Sequence, residues 1–199
     1  MSDTLLNRCT WCGNDADYQH YHDTVWGRPV SCEQDLFKKL CLDGQQAGLS
    51  WITILRKQTT YEAAYADFDP EQIARFDEEY IAGLMHNPGI VRNRLKIHSI
   101  IRNARSYLAM KDAGLSFNEF LWGFVDFSPV QNQWQDHSQI PANSVQSDAM
   151  SKALKKRGFN FVGSTICYAF MQATGMVNDH VVACHCYEPC RQKGLSFSL

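Results

Sequence analysis

Apolar residues recur every three to four positions along most of this 199-residue chain, and no segment alternates apolar and polar residues with period two before a hairpin turn. The first pattern lines one face of an α-helix and the second one face of a β-strand. The sequence therefore predicts an all-α fold with no sheet. After Val30, the segment CEQDLFKKLCLDGQQAGL has apolar residues at 36, 37, 40 and 41, with Ser31 as its cap and Gly44 as its stop. SWITILRKQTTYEAAYADF follows, capped by Ser50, with Ile52, Leu55, Tyr61 and Tyr65 as core positions. Asp69-Pro70 and Asp77 open two short helices, and Asn87-Pro88-Gly89 makes a turn. The stretch from Ile90 to Lys111, then SFNEFLWGFV, SDAMSKALKKRG and STICYAFMQATG, complete the helical pattern, the last ending at Gly175. Residues 126–146, rich in Gln, Ser, Asn and Pro, read as the least ordered region.

At 45% hydrophobic residues, a chain of this length has material for the core of one domain, 1–199, in two helical lobes. No run approaches the ~18–20 apolar residues that span a bilayer, which excludes an integral membrane protein. The first twenty residues show no basic start followed by an apolar run, so the expected location is the cytoplasm. Net charge is −2, yet residues 91–112 hold six bases against one acid, and SKALKKRG adds four more bases. Positive charge is local, which leaves a nucleic-acid face open.

Eight cysteines without an export signal fit a reduced protein better than a disulfide framework, and Cys41 and Cys167 lie within apolar helical patterns. Cys9 and His22 near the start, with His180 and Cys184 near the end, make up a sulfur–imidazole set suited to tetrahedral zinc. The four-residue interval between His180 and Cys184 puts both on one face if that segment is helical. Spacing alone leaves Cys12, His185, Cys186 and Cys190 as rivals, and inert thiols as the simpler account.

Trp11, Tyr18, Tyr21, Trp26 and Trp51 are dense for an acidic, loop-like segment, and could stack a planar or cationic ligand. Asp43 closes an apolar helix, where an acid opposes the helix dipole, so it is a candidate buried acceptor. In KRGFNFVGSTICYAF one helix ends and another begins at Gly163, and the N–H groups of Gly163, Ser164 and Thr165 would face a bound anion such as a DNA phosphate.

CLDGQQAGLSWITILRK, NPGIVRNRLKI, SKALKKRGFNFVGSTICYAFMQATGMVNDHVVAC and YHDTVWG together resemble the bacterial DNA-3-methyladenine glycosylase I family, from about Arg8 to Tyr187. The resemblance implies a helix-hairpin-helix glycosylase fold with FNFVGSTICYAF as the hairpin. It implies zinc held by Cys9, His22, His180 and Cys184, one structural ion joining segments 8–28 and 176–190. It also implies a monomer that binds duplex DNA containing 3-methyladenine, flips the lesion out and hydrolyses its N-glycosidic bond.

On this reading Trp51 and Trp11 sandwich the base and Tyr18 adds a wall. Tyr21 and Asp43 bind its edge as the catalytic pair, and Gln46, Gly48 and Leu49 fill the duplex gap with Leu49 as wedge. Asn178 stands where the wider superfamily carries a catalytic aspartate, with Asp179 beside it. Ser164 and Thr165 stand near the place of the lysine that attacks the sugar in bifunctional relatives, which implies no strand cleavage. One departure is Asp43, where the family pattern has glutamate; the carboxylate is retracted by about 1.5 Å. The rival readings are a non-catalytic module that binds alkylated or abasic DNA, a glycosylase–lyase, and a zinc–thiol redox protein using Cys9 and Cys12.

Overall fold

A computed structural model describes residues 6–199; the first five residues, part of the stretch read above for an export signal, lie outside the described residues. Short polar side chains start most of the helices by accepting a first-turn N–H. Asp15 accepts from Tyr18 N at 3.1 Å and opens α1 (Ala16–Thr24). The central helix α2 (Glu33–Gln46) starts at Cys32 rather than Ser31, and runs through Gly44 instead of stopping there. Gly44 serves packing: a Cβ would lie 3.1 Å from Phe161 Cβ and 3.2 Å from its carbonyl oxygen. With Leu36, Phe37, Leu40, Cys41 and Leu42 all buried, α2 is the axis of the core.

The segment after Ser50 is two helices rather than one, α3 (Trp51–Leu55) and α4 (Gln58–Ala64). They separate at Lys57, whose N–H bonds Ile54 O at 2.9 Å and whose ammonium reaches Pro88 O at 2.7 Å. Tyr61 and Tyr65 are fully buried as expected, but it is Ile54, not Ile52 or Leu55, that joins them. Asp69 and Asp77 cap α5 (Pro70–Ile73) and α6 (Glu78–Leu84). The long α7 (Arg94–Asp112) begins at Asn93, which accepts from Lys96 N, four residues beyond the NPG turn.

α8 (Phe117–Trp122) is capped twice, by Ser116 and by Glu33 from the start of α2. Glu33 Oε1 accepts from Phe117 N (2.6 Å), Asn118 N (3.2 Å) and Ser116 Oγ (3.0 Å), and Oε2 accepts from Tyr107 OH (2.7 Å).

The expectation of no sheet needs one correction. β1 (Val130–Gln131) pairs in parallel with β2 (Val177–Asn178), in register Val130 with Val177. Two residues are too few to show a period in the sequence. The pairing comes from the tertiary path of residues 126–146, which are tied down rather than loose: Val182 N bonds Trp134 O at 2.9 Å, and Asp136 with Gln139 closes a capping box. In chain order α9 (Val145–Lys156) lies between the strands, followed by α10 (Ser164–Ala173), and α11 (Tyr187–Leu195) comes after β2. α9 and α10 pack against each other across a seven-residue connection in which Phe161 adopts φ +56°. Among the described residues no helix is long and apolar enough to cross a membrane.

Candidate active site and metal cluster

The helix α2 brings Lys39, Asp43 and Gln46 to the lining of a cavity of about 170 Å³. Trp11, Tyr18, Tyr21, Trp26 and Trp51 enclose it, with His137, Ala169, Gln172 and Ala173 opposite. That volume falls below the ~300–1,000 Å³ of pockets for drug-sized ligands and suits a single ring system. All five residues read from the sequence as base-binding (Trp11, Tyr18, Tyr21, Asp43 and Trp51) line it, together with Gln46. Tyr21 bridges the two tryptophans, 5.5 Å from the Trp51 ring and 6.3 Å from Trp11 between centroids, while Tyr18 packs edge-on against Trp11 at 4.9 Å.

Asp43 is 1% exposed, so its carboxylate is not the solvated helix end that its position also allows. Oδ1 pairs with the Lys39 ammonium, and Oδ2 has no hydrogen-bond partner among the described residues. Trp51 Nε1, a donor on the same wall, is likewise unpartnered. Buried polar atoms are ordinarily paired, so an unpartnered acceptor and an unpartnered donor on two residues that line the same cavity suggest a ligand edge. Burial pushes the Asp43 carboxyl up, against the pull of Lys39, and pushes the Lys39 ammonium down, against the pull of Asp43. Burial, with Asp43 nearby, raises the Tyr21 phenol well above its ordinary value, so it remains a hydrogen-bond donor.

Lys39, His137 and Gln172 were not found from the sequence. Lys39 had a signal, lying four residues before Asp43 on the same helix face. His137 and Gln172 had none, because only the return of distant segments brings them there.

Behind Trp11 and Trp26, Cys9, His22, His180 and Cys184 converge, all buried, with their ligand atoms within 4.8 Å of one another. Cys9 Sγ is 3.6 Å from His180 Nδ1, and Cys184 Sγ is 3.5 Å from both His180 Nδ1 and His22 Nε2. A tetrahedral ion with bonds of ~2.3 Å to sulfur and ~2.0–2.1 Å to nitrogen separates the two atoms by ~3.5–3.6 Å. The donor set therefore fits such an ion. Each histidine also directs its other nitrogen at an acceptor, His22 Nδ1 at Asp23 Oδ1 (2.8 Å) and His180 Nε2 at Trp26 O (3.3 Å), the usual support for ligating imidazoles. His180 and Cys184 meet through a turn closed by Cys184 N on Val181 O, not along a helix as the spacing suggested. Of the rivals, Cys12 directs its thiol at Cys9 O, and Cys190 lies near Trp26 O. Cys186 approaches His185 at 3.3 Å and completes two three-residue groups, one with Cys184 and His185 and one with His22 and Asp23, each sharing one residue with the four-residue set.

Gly48 (φ +74°) and Leu49, 41% exposed, form the turn beyond α2, beside the cavity residue Gln46. Lys96 fixes that turn by donating to Gln45 O and Ala47 O at 2.6 and 2.7 Å. At α10, Gly163 is the N-cap and Thr165 is exposed, whereas the Ser164 hydroxyl is engaged by Ser147 (2.9 Å) and by the exposed Asp148. Asn178 donates to Gln131 Oε1 across the strand pair and to Tyr187 O at the start of α11. Asp179 is fully buried and both its oxygens are engaged: Oδ1 by Asn132 (2.6 Å) and Trp134 (2.7 Å), Oδ2 by Tyr168 (2.7 Å) and Gln172 (2.8 Å).

A family model described as methyladenine glycosylase matches residues 11–187. The chain is 52% identical to DNA-3-methyladenine glycosylase 1 of Escherichia coli over 92% of its own length and 97% of that protein. It is 47% identical to the DNA-3-methyladenine glycosylase of Haemophilus influenzae over 92% and 98%. A crystal structure of 3-methyladenine DNA glycosylase I, 51% identical, superposes with a TM-score of 0.90 over 91% of this chain and all of that one. The Staphylococcus aureus enzyme, whose structure addresses 3-methyladenine recognition, gives 0.88 at 38% identity over 92% and 97%. The motif resemblance is thereby borne out, and the chain belongs to the methyladenine glycosylase family.

Proposed function

We propose that this chain is a monofunctional DNA glycosylase that excises 3-methyladenine from alkylated duplex DNA and leaves an abasic site. The observation that carries this reading is the small aromatic cavity with a buried carboxylate oxygen left unpartnered. Methylation at N3 makes the base cationic and weakens its bond to the sugar. Trp11 and Trp51 stack the flipped ring, with Tyr18 beside Trp11, and the Tyr21 hydroxyl and Asp43 bind its edge. A buried carboxylate favours this cation over neutral adenine. The N9–C1′ bond breaks with its electron pair going to the base; a water oxygen bonds C1′ and gives up a proton. Such a leaving group needs little acid catalysis, which agrees with Asn178 and the fully engaged Asp179.

Gln46, Gly48 and Leu49 enter the gap in the duplex, and α9–α10 serve as the helix-hairpin-helix, gripping a phosphate with the N–H groups of Gly163, Ser164 and Thr165. Ser164 and Thr165 offer no amine for a lyase step. The reading takes the protein as a cytoplasmic monomer. It assigns one structural zinc to Cys9, His22, His180 and Cys184, supported by sulfur–nitrogen distances of tetrahedral size. Four protein ligands leave no open position, so the ion would join the two termini and take no part in hydrolysis.

Release of free bases from methylated duplex DNA, with strand integrity read alongside, tests the reading. We expect 3-methyladenine without strand breaks, and Trp51→Ala about ten- to a hundred-fold slower at unchanged fold, since stacking a base contributes ~1–3 kcal/mol. Unimpaired release by Trp51→Ala would overturn the pocket assignment, and tight abasic-DNA binding without release would make the protein a binding module. Elemental analysis should find one zinc per chain, and chelation should lower the melting temperature; a metal-free chain of unchanged stability would remove zinc.

A further inference from the structure

We propose that Lys39 is a built-in cation that occupies the Trp51 face and the Asp43 carboxylate until a flipped base displaces it, and so sets the threshold of affinity a base must exceed to enter. The inference rests on the pocket reading above and adds to it a residue that competes with the base. The Lys39 ammonium lies 3.6 Å from the centroid of the Trp51 ring and 5.9 Å from that of Tyr21. A stacked aromatic ring lies at nearly the same height above its partner, so ammonium and base cannot hold the same face of Trp51 together. The same ammonium takes Asp43 Oδ1 and leaves only Oδ2 open.

The structure also offers a place for the displaced side chain. Lys39 also lines a second cavity of about 240 Å³, which shares Tyr21 and Trp51 with the first and adds Asp35, Lys38 and Gln58. It thus borders both spaces, and its side chain retains 15% exposure. In the second space Asp35 is the available carboxylate, shared with Lys38 at 3.3 Å. Every entering base must drive the same displacement, whatever its own charge. The threshold therefore applies equally to cationic and neutral purines, and preference for the cation remains with Asp43 and the tryptophans.

Titration of Lys39→Met with free 3-methyladenine and with adenine, followed by calorimetry, tests this. Loss of one cation–π competitor should tighten both by a similar factor, between about two and thirty. Lys39→Gln keeps a neutral donor for Asp43 and should give the same gain if the methionine variant fails to fold. Unchanged or weaker binding in the folded variants would overturn the inference and make Lys39 a fixed partner of Asp43. If Trp51→Ala at the same time slows release at least ten-fold, the pocket reading survives that failure; if Trp51→Ala binds 3-methyladenine like the parent, the pocket reading itself falls.

Discussion

Asp43 and Asp179 are both shut away from solvent, yet they are built for opposite ends. Asp179 receives four hydrogen bonds, two to each oxygen, from Asn132, Trp134, Tyr168 and Gln172. It ties the 126–146 segment to α10 and the end of β2. Asp43 has one partner, Lys39, and an oxygen left open beside a cavity. Burial alone does not mark a functional acid. What differs is how many of its acceptor sites the fold uses, and Gln172 carries that difference across, because it bonds Asp179 and also lines the cavity of Asp43.

The comparison breaks most readily at Asp179. Asp179→Ala leaves four donors without their acceptor, and should cost about 3–5 kcal/mol, read as a lowered urea midpoint. A loss below about 1 kcal/mol would remove its structural role. Asp43→Asn should show the reverse profile: stability within about 1 kcal/mol, because Lys39 borders open space, but release of 3-methyladenine slower by about ten- to a hundred-fold. Equal stability losses in the two variants would erase the distinction drawn here.

Glu33 sharpens it as an intermediate case. Burial opposes its charge, but hydrogen bonds from Tyr107, Asn118, Ser116 and Phe117 win and hold the carboxyl below its ordinary 4.5. A carboxyl lowered in the folded state stabilises above the unfolded value, and that contribution is lost as pH falls through the folded one. Glu33→Gln should therefore cost about 1 kcal/mol at pH 7, discounted for its partial exposure, with the gap closing in acid. Melts of both proteins at neutral and acidic pH would show it, and a gap that widens in acid would reverse the sign.

Much of this molecule is local and so was readable in advance. Asp69 and Asp77, read as helix starts, cap α5 and α6 because a short polar side chain reaches an N–H two or three residues on, whereas Asn93 and Ser144 cap α7 and α9 away from the starts read at Ile90 and Ser147. The long motifs carried the family, and with it the cavity aromatics and the Cys/His set. Gly44 misled, since a glycine needed for close approach to Phe161 looks the same in sequence as one that ends a helix. The two-residue strands and the turn joining His180 to Cys184 were hidden for a related reason, being too short to carry a period.

The helical class, the helix starts at Asp69 and Asp77, and the kinds of side chain available for stacking, hydrogen bonding and metal ligation were legible in the sequence, because these follow from residue chemistry and short-range spacing. Which of the two buried acids, Asp43 or Asp179, keeps an unpartnered oxygen, and that the Lys39 ammonium stands over Trp51, came only from the fold. Both depend on partners dozens of residues away or on an aromatic face presented across a turn, and no local spacing encodes how those groups meet.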